Sequence, residues 1–174
     1  MICCVLGHRE ICETEELREQ LSRVIEELIT CERVDTFLFG SKSRFNRLCY
    51  ELVTQKQQEF PYIKRIYVRA EFPVISEDYR RYLLEIYEET YYPEDLTGAG
   101  RTVYIKRNTE MIDRSHFCLF YYDPAYRPKG RKSGTKIGLD YAVKRKKRIF
   151  IFPVPEGDEG SPSYFAGDSS LCSE

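Results

Sequence analysis

The chain has 174 residues, 42 % of them hydrophobic and 32 % charged, and a formal net charge of −1. That length suits one domain with a real core and is short for two ordinary ones. No apolar run reaches bilayer-spanning length, and the near-neutral balance selects neither a strongly acidic nor a strongly basic partner.

Met1 to Leu6 is a continuous apolar run without a basic leader, so it reads as a first strand rather than a secretion signal. Thr14 to Cys31 repeats Leu17, Leu21, Val24 and Leu28 at helical spacing. Thr14 suits its N-cap, and Glu15 and Glu16 suit the positive end of its dipole. Thr36 to Phe39 is a second strand, ended by Gly40. A helix follows from about Ser43 to Glu59, with Phe45, Leu48, Cys49, Leu52 and Val53 as its apolar stripe and Pro61 beyond its end. Ile63 to Ala70 is a third strand with Ile66 and Val68 on one face.

Ser76 caps a tyrosine-rich helix that extends to about Tyr91, with Tyr79, Leu83, Ile86, Tyr87 and Thr90 as its stripe. Pro93 to Arg101 is a loop. Thr102 to Ile105 reads as a short strand, Arg107 to Arg114 as a short helix, and His116 to Tyr122 as a buried strand. Asp123 to Lys132 is a basic loop suited to a lid, Gly134 to about Lys146 a helix, and Arg148 to Phe152 a last strand. Strands alternating with helices, without hairpin signals, predict an α/β fold. The expectation is a Rossmann-like three-layer sandwich with a mostly parallel sheet of about six strands over residues 1–152. Residues 153–174 form an acidic, Gly- and Ser-rich tail, expected to be loosely ordered.

Cysteines 3, 4, 12, 31, 49, 118 and 172 show no metal-ligand spacing and mostly lie in apolar segments. They read as reduced thiols of a cytoplasmic protein, with Cys172 as a tail thiol open to oxidation and no metal site expected. Lys and Arg crowd residues 127–148, where Asp140 is the one acid. This band fits phosphate or nucleic-acid contact and fits equally a solvated face paired with the acidic tail.

Several positions carry candidate chemistry at strand ends, where open α/β sheets bind ligands. Gly7-His8-Arg9 offers a tight turn, a proton-transfer group and a planar anion-binding fork, or a plain exposed turn. Gly40-Ser41-Lys42-Ser43-Arg44 places hydroxyls, cations and free amides at a helix N-terminus, or is simply a capped start. Arg107 and Asn108 follow an expected strand and point toward the ligand edge, while Asp113 suits either acid chemistry or pairing with an arginine. Arg69 and Glu71 add a donor and an acceptor. Ser133-Gly134-Thr135 suits phosphate wrapping by amides and hydroxyls but lacks Walker spacing. Tyr121, Tyr122 and Tyr126 are placed to stack on a base.

Gly7-His8-Arg9, Arg107-Asn108-x-x-Met111-x-Asp113 before Tyr121-Tyr122, and Ser133-Gly134-Thr135 before Tyr141-Ala142 occur in an order that resembles the SLOG superfamily. Within it they resemble the YpsA-type branch, over roughly residues 1–152. The resemblance implies a Rossmann-like domain that binds nucleotides or nucleotide-derived signals. It also implies a cradle built from Gly7, Arg9, Gly40, Ser41, Arg107, Asn108, Ser133, Gly134 and Thr135. More distant kin in that superfamily are the Lonely Guy phosphoribohydrolases and the DNA-processing protein A group. Gly138 stands where the Lonely Guy enzymes carry their catalytic glutamate, and Leu6 stands where YpsA-type members often carry a hydroxyl residue.

The expected function is therefore binding or sensing of a nucleotide or ADP-ribose-like ligand, with no cofactor singled out by the sequence. Two alternatives stand beside it. One is a nucleotide N-glycosidase using Glu71 or Asp113. The other is a DNA or protein interaction module using the 127–148 band. The sequence is also compatible with a homo-oligomer.

Overall fold

Strong apolar runs and amphipathic helices alternate along the chain, and a computed structural model shows how they assemble. It describes residues 1–125 and 133–153. The expected lid residues 126–132, with Tyr126, and residues 154–174 of the tail, with Cys172, lie outside the described residues. The elements are β1 (Ile2–Gly7), α1 (Glu15–Thr30), β2 (Thr36–Phe39), α2 (Arg44–Gln57), β3 (Lys64–Val68) and α3 (Glu77–Ile86). They continue with β4 (Glu89–Tyr91), α4 (Val103–Arg114), β5 (Phe117–Tyr121), α5 (Gly134–Lys144) and β6 (Arg148–Phe152).

The six strands form one sheet in the order β4-β3-β2-β1-β5-β6, and every pairing is parallel. The chain steps outward from β1 to β4, then crosses back to place β5 on the other side of β1. Right-handed crossovers put successive helices on one face while the chain moves one way and on the other face after it reverses. The packing agrees. Residues of α1, α2 and α3 share a core with Cys3, Val5, Phe37, Phe39, Phe117 and Leu119. Residues of α4 and α5 share the second core with Cys4, Leu6, Leu38, Cys118 and Phe120. Covering both faces explains why β1 and β5 are apolar at successive positions instead of alternating. The architecture is the expected Rossmann-like three-layer α/β sandwich.

Local chemistry sets the helix starts. The Thr14 side chain accepts from the Leu17 amide, Ser43 from Asn46, Ser76 from Tyr79 and Ser133 from Lys136. Each uses an oxygen to satisfy an orphan amide of the first turn.

Three expectations are corrected. Thr102 to Ile105 is not a strand, because its residues enter a short 3-10 turn and then α4. Its β-branched and aromatic composition is outweighed by helical packing of Arg107, Met111 and Ile112 against the sheet. The tyrosine-rich helix ends at Ile86 rather than near Tyr91, and residues 89–91 become the edge strand β4. Glu88 directs that change. Its carboxylate accepts from the Arg65 amide at 2.6 Å and from the guanidinium at 2.6 Å and 3.1 Å, and its amide donates to the Arg65 carbonyl. Finally, His116 is exposed before β5, where its Nδ1 accepts from the Ile2 amide at 3.2 Å.

Candidate functional site

A parallel sheet gathers the carboxyl ends of its strands and the first turns of the following helices along one rim. Gly7, at the end of β1, is in register with Tyr121, at the end of β5. These two strands flank the point where strand order reverses, the usual ligand crevice of open α/β sheets. α5 begins on the same rim, and a methyl on Gly138 would sit 3.6 Å from Phe120 and 3.8 Å from Leu6. The amino-terminal and carboxy-terminal glycine elbows therefore share one edge.

The glycines there do different work. An ideal Cβ on Gly7 would lie 2.5 Å from Phe45 Cδ1 and 2.7 Å from its Cβ, so Gly7 lets α2 approach β1. One on Gly40 would lie 2.6 Å from Arg107 Nη1 and 2.7 Å from Met111 Sδ. Only at Gly134, of these three, is the space beyond the Cα open.

The Gly40, Ser41, Ser43 and Arg44 amides of this elbow are already engaged, which corrects the expectation that they are free for an anion. Buried Asn46 accepts from the Gly40 and Ser41 amides, each at 3.3 Å, and its amide nitrogen donates to the Val5 carbonyl at 3.3 Å. The Ser43 amide donates to Ser41 Oγ, and the Arg44 amide to the Arg9 carbonyl. Arg44 Nε donates to Glu13 at 3.3 Å, whereas the Arg9 side chain is exposed.

Arg107 occupies the second turn of α4 beneath Gly40 and is 3 % exposed. Its Nη1 donates to the Val68 carbonyl at 3.3 Å, at the end of β3, and its Nε donates to Asn108 Oδ1 at 3.0 Å. Among the described residues no carboxylate lies within ion-pair distance of it, although Glu71 acts on it at longer range. Burial lowers its guanidinium to about 10, because the charge is desolvated without close compensation. Arg69, the residue after β3, is also lowered by burial. It donates to the carbonyls of Phe72 and Pro73 and lies 5.9 Å from the Tyr92 ring centroid. Exposed Glu71 stands on the same rim.

The opposite edge is balanced differently. There the N-terminal amine meets Asp35 at 3.1 Å, Lys64 meets Glu89 at 2.9 Å, and Arg148 meets Glu32 at 2.6 Å. Asp113 also belongs to that edge. It accepts from Tyr141 Oη at 2.8 Å and from Arg145 Nε at 2.7 Å, which separates it from Glu71 and the glycine elbows. In the described part of the basic band, Lys136 pairs with Asp140, Arg145 with Asp113 and Arg148 with Glu32, while Lys147 donates to two backbone carbonyls.

At the reversal point His8 is buried, with its ring 5.6 Å from Tyr122. Burial lowers its pKa, and the backbone and carboxylate of Asp123 oppose that shift. Tyr121 is packed against Phe45 and accepts from the Cys12 amide at 3.3 Å, so its face is spent on the core. Tyr122 is half-buried, with Lys136 Nζ 5.9 Å from its ring centroid. Ser133 caps α5, Gly134 is exposed, and Thr135 is buried. The Gly134 and Thr135 amides make no hydrogen bond among the described residues, which leaves two donors at a helix N-terminus.

No family model and no curated protein matches this sequence. The rim geometry is thus the main ground for a functional reading. Among the described residues no His, Cys, Asp and Glu cluster is built to hold a metal, and no helix is long and apolar enough to cross a membrane. Cys3, Cys4, Cys49 and Cys118 are buried free thiols, whereas Cys12 and Cys31 are exposed.

Sequence reading missed Asn46, whose only signal was its place three residues after a serine cap. Tyr79 and Tyr87, expected on the apolar stripe of the third helix, do pack against the core, and both also help line a hollow of about 490 Å³ between α2 and α3.

Proposed function

We infer that the carboxyl rim binds a nucleotide or nucleotide-derived, ADP-ribose-like ligand, and that the chain acts as a cytoplasmic binding module or sensor. The observation that carries this reading is Arg107, a buried guanidinium at the ligand edge with no carboxylate in contact among the described residues. A buried charge held only by neutral acceptors keeps part of its desolvation cost, and an anionic ligand offsets that cost. Phosphate also suits the two open amides of Gly134 and Thr135, where the helix dipole adds positive potential. The resemblance of the Gly7, Arg107 and Ser133 motifs to the SLOG superfamily, YpsA-type branch, supports the same ligand class. The N-glycosidase alternative is weaker, because Asp113 is held at the other edge by Tyr141 and Arg145, away from Glu71 and the glycine elbows. The DNA alternative is weakened by the ion pairs that already engage Lys136, Arg145 and Arg148 of the basic band.

Thermal unfolding of the full chain with AMP, ADP, ATP, NAD and ADP-ribose tests the reading. A ligand at one hundred times its Kd adds about 2.7 kcal/mol, or roughly 5–10 °C in Tm for a domain of this size. At least one compound should give that rise. No shift across the panel would overturn the proposal.

A further inference from the structure

Beside the Gly40 elbow, Ser41, Lys42 and Ser43 open onto the hollow between α2 and α3. Its volume of about 490 Å³ lies in the range of small-molecule sites and suits one nucleoside unit rather than two. The walls are unusually aromatic. Tyr50, Tyr67, Tyr79, Tyr82 and Tyr87 all line it. Tyr67 and Tyr87 stack at 5.2 Å with 29° between planes, and Tyr79 and Tyr82 at 6.2 Å with 17°.

The hydroxyls separate core tyrosines from ligand-facing ones. Tyr50 is committed, since it donates to the Ile86 carbonyl at 2.9 Å and accepts from Arg65 at 3.1 Å. Tyr67 is 6 % exposed, yet its hydroxyl has no hydrogen bond among the described residues, and neither has that of half-buried Tyr87. Neither oxygen is among the buried unpartnered side-chain atoms, so both hydroxyls open into the hollow, where a ligand can meet them. Burial raises both phenols, Tyr67 to about 12, so both remain protonated and able to donate at neutral pH. At the outer wall, Tyr82 is 55 % exposed. On the elbow side, exposed Lys42 has no carboxylate within ion-pair distance among the described residues. Arg107 lies just behind this elbow, against Gly40.

We propose that this hollow is the ring subsite of the rim: it takes the single planar heterocycle of a nucleoside phosphate. The ring stacks on the Tyr79–Tyr82 wall and accepts hydrogen bonds from the Tyr67 and Tyr87 hydroxyls. The phosphate extends past Lys42 toward Arg107. This rests on the nucleotide reading above and moves the base away from Tyr121 and Tyr122, where the sequence suggested stacking. The site is indifferent to ring identity to the extent that every base has a π-face.

Calorimetric titration of the full chain with AMP, UMP and ribose 5-phosphate tests it, using wild type, Tyr82→Ala and Tyr87→Phe. Tyr82 is exposed, and Tyr87→Phe keeps the ring, so neither change removes core packing. The expected result is that AMP or UMP binds at least tenfold more tightly than ribose 5-phosphate. Tyr82→Ala should cost the nucleotide about tenfold, in line with a stacking loss of about 1–3 kcal/mol per base. Tyr87→Phe should cost it several-fold, and neither variant should change ribose 5-phosphate binding. Nucleotide and ribose 5-phosphate binding equally well, or Tyr82→Ala binding the nucleotide like wild type, would overturn the ring subsite and leave the rim reading intact. No binding by any of the three compounds would overturn the ring subsite, and together with no thermal shift across the AMP, ADP, ATP, NAD and ADP-ribose panel it would overturn the rim reading as well.

Discussion

A methyl group on Gly7 would meet the Phe45 ring and its Cβ, which cannot withdraw unless α2 moves. On Gly40 it would meet the ends of the buried but unbranched Arg107 and Met111 side chains, which can give more readily than a ring, and on Gly134 it would meet nothing within 4 Å. Substitution by alanine should therefore destabilise in the order Gly7, Gly40, Gly134. Overpacking typically costs about 1–3 kcal/mol, with Gly7→Ala at or above the top of that range and Gly134→Ala near zero. Urea unfolding of the three variants checks the order. His8 gives a second residue-level expectation. Burial lowers its folded pKa below the ordinary 6.5, with Asp123 opposing. Between the folded pKa and 6.5 the unfolded chain binds more protons, so stability is complete above 6.5 and is lost as pH falls through that window. Stability measured from pH 7.5 to 5 should fall for wild type, and His8→Gln should flatten that part of the curve. Glycine type alone did not reveal these differences, because a tight turn, a packing gap and an open cradle look the same in sequence.

The elbow between β2 and α2 is held by one side chain. Asn46 satisfies two amides of the elbow and one carbonyl of β1. Asn46→Ala leaves those buried groups without partners and should cost about 2–4 kcal/mol, given about 1–3 kcal/mol for each unsatisfied group and partial relief by water. Chemical denaturation measures it, and a loss below 1 kcal/mol would contradict the role. Most elements were legible because their signals were local. Thr14, Ser43 and Ser76 each cap the helix they suggested, and β2 and β6 fall at the expected residues. The failures share a physical cause. β4 forms because Glu88 is drawn to Arg65, more than twenty positions earlier, and Thr102–Ile105 turns helical because Arg107 and Met111 must pack under Gly40. Neither long-range contact leaves a mark at the residues it reshapes.

Across the whole molecule, the sheet is most protected at its middle. β1 lies between β2 and β5, and Cys3, Cys4 and Val5 are fully buried, whereas β4 is a three-residue edge strand with partly exposed side chains. Amide hydrogen exchange should be slowest in β1 and β5 and fastest, among strands, in β4. Equal protection of β4 and β1 would contradict this packing. The two ends of the sheet also differ in charge. At the strand starts, Asp35, Glu89, Glu32 and Asp113 meet their cations directly, while at the strand ends Arg107 is buried with only neutral acceptors. The edge itself was legible from the strand and helix order, but the state of its charges depended on side-chain packing. The direct test of the rim is calorimetric binding of ADP-ribose to wild type and Arg107→Met. The account predicts at least a tenfold loss of affinity, from a charge-assisted contact of about 1.5–3 kcal/mol, with unfolding free energy within about 1 kcal/mol of wild type. Equal affinity in the two proteins, or a variant that loses its fold while wild type binds nothing, would contradict it.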